Sequence, residues 1–329
     1  MNRRTRLFVL GTSGVLLAGI ATAGIASWAG IGNIGLMAAN GSDELAYVPA
    51  DAQLIAYVDV RHVMDSELRH RLQPDLGSNR APSHLFEETG INIETDVDSV
   101  VIAGLGEGAP DGPPLVLARG RFNPSQIEAA FRSRGGSVSD YNGVKLIAAE
   151  NGSLAVAFIK TDLLAVGSPD NLRGALDASV GASGTIKDNS EVMRLVDRVD
   201  DGDAWTVARF DALRGRAPVP ANLASQLPSI TWFAAGGQVS DSVSAVLHAE
   251  TRDEQSAQDL REVIRGFVAL VRMQVGQQQE FADFMNSVEL SGDGTTVSLG
   301  FSVPSSLIDR LSTFRQRPSD APPPAVLGL

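Results

Sequence analysis

The chain predicts an α+β fold: two related units of antiparallel sheet with helices on one face, preceded by one N-terminal transmembrane helix. Three observations carry this. Pro114 to Ala178 reads as strand, helix, hairpin strands and short helix. A looser version of the same order returns between Ser242 and Thr313. Before both, an uncharged stretch from Leu7 to Ser42 follows Arg3, Arg4 and Arg6. The expected organisation is a signal-anchor or signal peptide with a short linker (1–42), a first α+β repeat (43–184), a second (185–317), and a Pro-rich disordered tail (318–329).

The most apolar part of the leader, Leu7 to Ala29, is long enough for a bilayer core of roughly 30 Å at about 1.5 Å per residue. The arginines orient it, since positive flanks stay in the cytoplasm. The expected location is therefore the cell membrane, single-pass, with everything after the segment outside. The small residues Ala21-Thr22-Ala23 offer a cleavage site, which would make the protein secreted. The apolar run continues past that site, which favours an uncleaved anchor.

In the first unit, Gln53–Val60 is a strand and Arg61–Leu72 a helix, with Asp65/Arg69 and Glu67/Arg71 at i,i+4. Ser83–Thr89 is a short helix and Asp98–Leu105 a strand. Leu115–Arg121 is apolar, then polar, as in a partly buried strand. Asn123 before Pro124 is an N-cap followed by proline at the first helical position, where no N–H is needed. Ile127, Ala130 and Phe131 share one helical face, and Gly135-Gly136 ends the helix. Asn142-Gly143 and Asn151-Gly152 mark type I′ hairpin turns between Ser137–Tyr141, Val144–Ala149 and Ser153–Ile159, with Leu163–Val166 as a fourth strand. Ser168-Pro169 caps the next helix.

Thr185–Ser190 reads as a polar linker. The second unit then follows the first: helix Glu191–Val199, strand Ala204–Phe210, helix Asp211–Arg216, and strands Ile230–Val239 and Val243–Glu250. Thr251 and Glu254 have capping-box spacing. Leu260, Val263, Ile264, Phe267, Val268 and Val271 then give the strongest helical periodicity in the chain. Gln278–Met285 is helical, Ser287–Leu290 and Thr295–Val303 are strands around Asp293-Gly294, and Pro304 opens a helix matching that at Pro169. One meander strand is missing relative to the first unit. The likeness lies in element order and caps.

Val48-Pro49-Ala50-Asp51-Ala52, with a strand and helix behind it and an export segment ahead, resembles exported or membrane-anchored bacterial proteins of domain-of-unknown-function families. The resemblance covers mainly residues 46–180. It implies an extracytoplasmic α+β domain and transfers no catalytic residue.

Composition narrows the chemistry. A cysteine count of 0 excludes disulfides, thiolate metal sites and cysteine nucleophiles. A net charge of −12 disfavours nucleic acid as a partner. The histidines are His62, His70, His84 and His248. His62 and His70 on one helix would lie ~12 Å apart along the axis, too far for one ion. Gly104-Leu105-Gly106-Glu107-Gly108 lacks the third glycine and the following helix of a dinucleotide loop. Asp197, Asp200, Asp201 and Asp203 lack an EF-hand's final glutamate and read as a solvated acidic turn. Gly11-Thr12-Ser13-Gly14 falls inside the leader, so no nucleophile elbow is present. The helix Asp253–Val275 packs on its own sheet in preference to a membrane, because its polar face mixes acids, arginines and glutamines.

No catalytic, cofactor or metal residue is therefore assigned. The expected function is a non-enzymatic interaction or structural module of a bacterial envelope. It is held in the membrane by residues 7–29 and has an envelope protein as its partner. The alternatives are an extracytoplasmic hydrolase, with His62, His84 or His248 beside a carboxylate, and a small-molecule or lipid carrier with a cavity under the long helix.

Overall fold

The computed structural model describes residues 43–66, 89–105, 113–213, 228–240, 242–275 and 279–307. The expected membrane segment, His70, His84, the loop 106–112, the helix at 83–88, helical continuations past 213 and 307, and the tail lie outside the described residues. The helix expected over Arg61–Leu72 ends instead at Asp65, where Ser66 turns extended. Among the described residues no helix is long and apolar enough to cross a membrane.

A 3-10 turn, Glu44–Tyr47, leads into β1 (Ala52–Val58), α1 (Val60–Asp65), α2 (Ile93–Asp96), β2 (Val97–Leu105) and β3 (Leu115–Gly120). Then come α3 (Pro124–Ser133), β4 (Ser137–Tyr141), β5 (Val144–Ala148), β6 (Ala155–Lys160), β7 (Leu163–Gly167) and α4 (Pro169–Ser179). A second 3-10 turn, Ile186–Asp188, precedes α5 (Ser190–Val196), β8 (Ala204–Arg209), α6 (Phe210–Leu213), β9 (Ile230–Val239) and β10 (Ser242–Thr251). The chain continues through α7 (Glu254–Val275), α8 (Gln279–Ser287), β11 (Glu289–Ser291) and β12 (Thr296–Pro304).

Local chemistry explains the boundaries. The Asn123 side chain accepts from the Gln126 N–H at 3.2 Å, and Ser168 Oγ from the Asn171 N–H at 3.2 Å. Helix α3 closes with Gly135 at φ +79°, its N–H on the Arg132 carbonyl and the Gly136 N–H on Phe131, a Schellman ending. Asn142 and Gly143 both have positive φ, as a type I′ turn requires. The second hairpin differs. Gly152 has positive φ but Asn151 does not, and the Asn151 side chain accepts from the Ser153 N–H and Oγ–H instead. That loop is longer, with Ala149 and Leu154 hydrogen-bonded across it. At α7 the cap is Asp253, which accepts from the Ser256 N–H at 2.7 Å. Thr251 is still in β10, and its hydroxyl donates to the Asp253 and Thr295 carbonyls.

Among the described residues the strands form one antiparallel sheet of twelve in the order β11-β12-β10-β9-β8-β1-β2-β3-β7-β6-β5-β4. The β1–β8 pair joins the halves, from Leu54↔Ala208 to Val58↔Ala204. The two units thus share a single sheet. In β1, Leu54 to Val58 are buried on both faces, as are Trp205 to Ala208 in β8. Two such strands cannot leave a backbone edge in water without losing that burial, and pairing satisfies both. Outward from this seam the order is mirrored: β1-β2-β3-β7 on one side, β8-β9-β10-β12 on the other. The first side continues through β6, β5 and β4, the second only through β11. Among the described residues the second half therefore lacks two meander strands, not one.

Helices cover both faces, against the expectation of one. On the front, α4, α5 and the two 3-10 turns pack through Leu172, Leu195, Leu45 and Ile186 onto Leu117, Leu163 and Val207. On the back, α3 places Ile127 and Phe131 on Ile147, Val156 and Leu164. Further along the back, α7 and α8 cover Leu247, Leu299 and Phe301. The cause is in the strands. Leu115-Val116-Leu117-Ala118 and Leu163-Leu164-Ala165-Val166 are apolar at every position, so neither face tolerates water. The segment expected as a polar linker is part of this packing. Ile186 is fully buried, and its N–H donates to the Val48 carbonyl. The helices at Pro169 and Pro304 also part company: α4 lies in front, while Leu307 packs with Phe284 and Val303 behind.

Candidate functional site

The front of β9, β10 and β12 presents a polar constellation. Cross-strand registry sets His248 opposite Ser298, and Glu250 opposite Thr296. The imidazole Nδ1 lies 2.7 Å from Ser298 Oγ. Burial, and then the Arg198 charge, push the His248 pKa down, while Glu250 and the Arg198 carbonyl oppose. A neutral ring whose Nδ1 accepts from Ser298 fits these surroundings. Glu250 is buried and engaged elsewhere. It accepts from Arg198 Nη1 at 2.8 Å, Thr296 Oγ1 at 2.9 Å and Thr295 Oγ1 at 3.3 Å. The arrangement resembles a nucleophile beside a base, but the carboxylate that would orient the base is taken by arginine. No motif spacing announces it; it arises from the pairing of β10 with β12.

A second cluster ties the chain entry to the sheet. Arg119 Nε donates to Glu44 at 2.5 Å and its Nη1 to Asp162 at 2.5 Å. The Glu44 side chain is 5% exposed, Arg119 26% and Asp162 48%. Burial works against the Arg119 charge, but the two carboxylates outweigh it and raise its pKa. Nearby, burial pushes the Tyr57 pKa up to about 12, with a hydrogen bond to Ser99 opposing. Tyr57 also stacks on Trp205 at 5.9 Å.

A cavity of about 480 Å³ opens beside this cluster, lined by Gly90, Asp96, Arg121, Asn123 and Asp162 among others. Its charges serve the frame. Asp96 accepts the Asn92 N–H and the Thr95 hydroxyl, which lowers its pKa, and Arg121 donates to the Thr95 carbonyl. Gly120 forms the wall because a Cβ there would sit 2.0 Å from the Asp96 carbonyl oxygen. The cavity is polar and lies by α2 and α3. Beneath α7 the space is filled by Phe284, Met285 and Phe301.

The residues singled out from sequence are dispersed. His62 is exposed and lies 3.5 Å from Asp203, which also accepts the Val239 N–H. Burial, then Asp201 and Asp197, raise the Asp200 pKa, yet among the described residues no acidic or histidine group is arranged to hold a metal ion. Gly104 and Leu105 are simply the end of β2, opposite Leu54 and Ala52. Helix α7 is different. Leu260, Ile264, Val268 and Val271 face the sheet, as expected. Around its C-terminal half, however, Gly266-Phe267-Val268-Ala269-Leu270-Val271 is apolar without interruption. Leu270 is 48% and Met273 82% exposed.

No family model matches the chain, and no curated protein matches it. The solved structures that align with it include crystal forms III, I and IV of TP0453. Their TM-scores are 0.48, 0.44 and 0.41, at 9%, 10% and 10% identity. They cover 82%, 82% and 83% of this chain and 97%, 96% and 96% of theirs. A likeness of this depth defines neither a family nor a function.

Proposed function

We propose that this chain is a single-pass protein of a bacterial cell envelope, anchored by residues 7–29, whose external α+β domain works by binding. One observation carries the reading: α7 turns an apolar surface to solvent, while the buried charges are consumed in structural pairs such as Arg119–Glu44 and Arg198–Glu250. Exposed large apolar side chains clustered on one helix are a mark of an interaction surface. The mirrored strand order about β1 and β8 supports two halves of common descent. The arginines before Leu7 support the orientation.

Alkaline extraction of membranes, with protease added to intact spheroplasts, tests the anchor. A full-length chain that stays in the pellet and loses a C-terminal epitope to the protease is the expected result. A soluble product shortened near Ala23, or a protected epitope, overturns it. A hydrolase is the second reading, favoured only by the 2.7 Å Ser298–His248 contact. Covalent labelling by a fluorophosphonate that disappears in Ser298→Ala would establish it.

A further inference from the structure

We infer that the C-terminal turns of α7 dock into the surface of the membrane that holds the anchor, with zwitterionic lipid as the partner. The inference rests on the anchor reading above. The helix has 22 residues, and the sheet and α8 cover one side of it. Around the C-terminal half, Val263, Phe267, Leu270 and Met273 extend the apolar surface away from the sheet-facing stripe, and Gly266 is open to solvent beside them. A helix apolar over most of its circumference is unstable in water unless something covers it. Arg265, exposed, borders the apolar arc, where a long basic side chain reaches headgroups while its stem stays with apolar neighbours; Arg272 instead donates to the Met285 carbonyl at 2.9 Å.

The tether makes the lipid surface the favoured occupant. Between Ala29 and the first described residue, Asp43, lie residues 30–42, which reach at most about 45 Å when extended. Glu44 is pinned to Arg119 at the end of β3. From β3 to β12 the sheet spans roughly 29 Å at about 4.8 Å per strand, so α7 lies within reach of the bilayer. A few exposed side chains bind a bilayer weakly when free, but tethering raises their effective concentration. With a net charge of −12 the chain as a whole is not drawn to an anionic surface, so the contact rests on apolar side chains and varies little with salt.

The absence of cysteine allows one thiol to be placed at will. Full-length Met273→Cys and Gln258→Cys, each carrying an environment-sensitive nitrobenzoxadiazole, are reconstituted into phosphatidylcholine–phosphatidylethanolamine vesicles. Both positions are exposed, on the same helix and about 22 Å apart. The expected result is a blue-shifted, several-fold brighter signal at 273 that nitroxide-labelled lipid quenches and salt leaves unchanged, with a water-like signal at 258. Leu270→Gln in the Met273→Cys chain reduces the shift. A water-like signal at 273 in chains that resist alkaline extraction overturns the docking and leaves the anchor standing. A shift that depends on protein density and escapes lipid quenching assigns the surface to a second copy, and also overturns it. Chains that alkali releases from the vesicles refute the anchor, and the docking falls with it.

Discussion

Replacing Arg119 with methionine should cost about 3–5 kcal/mol of stability, the range for removing one partner of a buried ion pair. The structure supplies the reason. Glu44 is nearly buried and accepts from Arg119 at 2.5 Å, so the variant strands a carboxylate without its cation. At an effective dielectric near 20, charges about 4 Å apart interact by about 4 kcal/mol, in line with that range. Asp162 touches the same guanidinium but is 48% exposed. Solvent screens it, and Asp162→Asn should cost under about 1 kcal/mol. The asymmetry is the test. Urea unfolding in detergent micelles, followed by the fluorescence of buried Trp205 and Trp232, reads both variants. With a slope of about 3 kcal/mol/M, Arg119→Met should lower the midpoint by about 1–1.7 M. Adding Glu44→Gln to it should recover part of the loss, because no buried charge remains. A midpoint within about 0.3 M of the parent, or equal losses from Arg119→Met and Asp162→Asn, refutes the reasoning.

Other expectations follow from the same side chains. The depressed His248 pKa means the folded state binds its proton less readily than the unfolded one. Its contribution is therefore complete above the unfolded value of about 6.5 and is lost as pH falls through the folded value. His248→Gln should flatten this acid limb in urea midpoints measured across pH. Tyr57, raised to about 12, stabilises the fold below the unfolded value of about 10 and loses that contribution as pH rises toward 12. A hydrogen bond to Asp177 also raises Tyr141, so absorbance titration should show Tyr57 as the last tyrosinate to form, and Tyr57→Phe should remove that last step. Gly120→Ala forces a Cβ to within 2.0 Å of the Asp96 carbonyl oxygen, so β3 or α2 must shift. A cost of about 1–3 kcal/mol is expected, with Gly143→Ala as a control that meets a positive φ but no atoms.

Much of the first half was legible because its signals are local. Asn123-Pro124, Ser168-Pro169, Gly135-Gly136 and Asn142-Gly143 each determine their own backbone within a few residues, and the structure follows them. Thr251 misled because Thr and Glu at capping-box spacing say nothing of where a strand stops. The β10–β12 ladder holds Thr251, and Asp253 takes the cap. The shared sheet was not legible, since the partner of β1 lies far along the chain. The front and back layers were half legible: the unbroken apolar runs of β3 and β7 already require two covers. The Ser298–His248 and Arg119–Glu44 contacts left no sequence signal, because each depends on a long-range register. The outer surface of α7 was visible as an uninterrupted apolar run, but periodicity toward the sheet masked it.

The β1–β8 seam has a consequence for how the protein is made. Thr206 Oγ1 donates to the Ile55 carbonyl across 151 residues, so β1 must wait for most of the chain before its second edge is filled. Until β8 emerges, the seven strands from β1 to β4 stand with an apolar edge open to any strand that matches it. Contacts so distant in sequence make folding slow, and open edges invite wrong partners. A chain interrupted before Ala204 would thus carry an adhesive border, and two such fragments would pair β1 with β1 in place of β8.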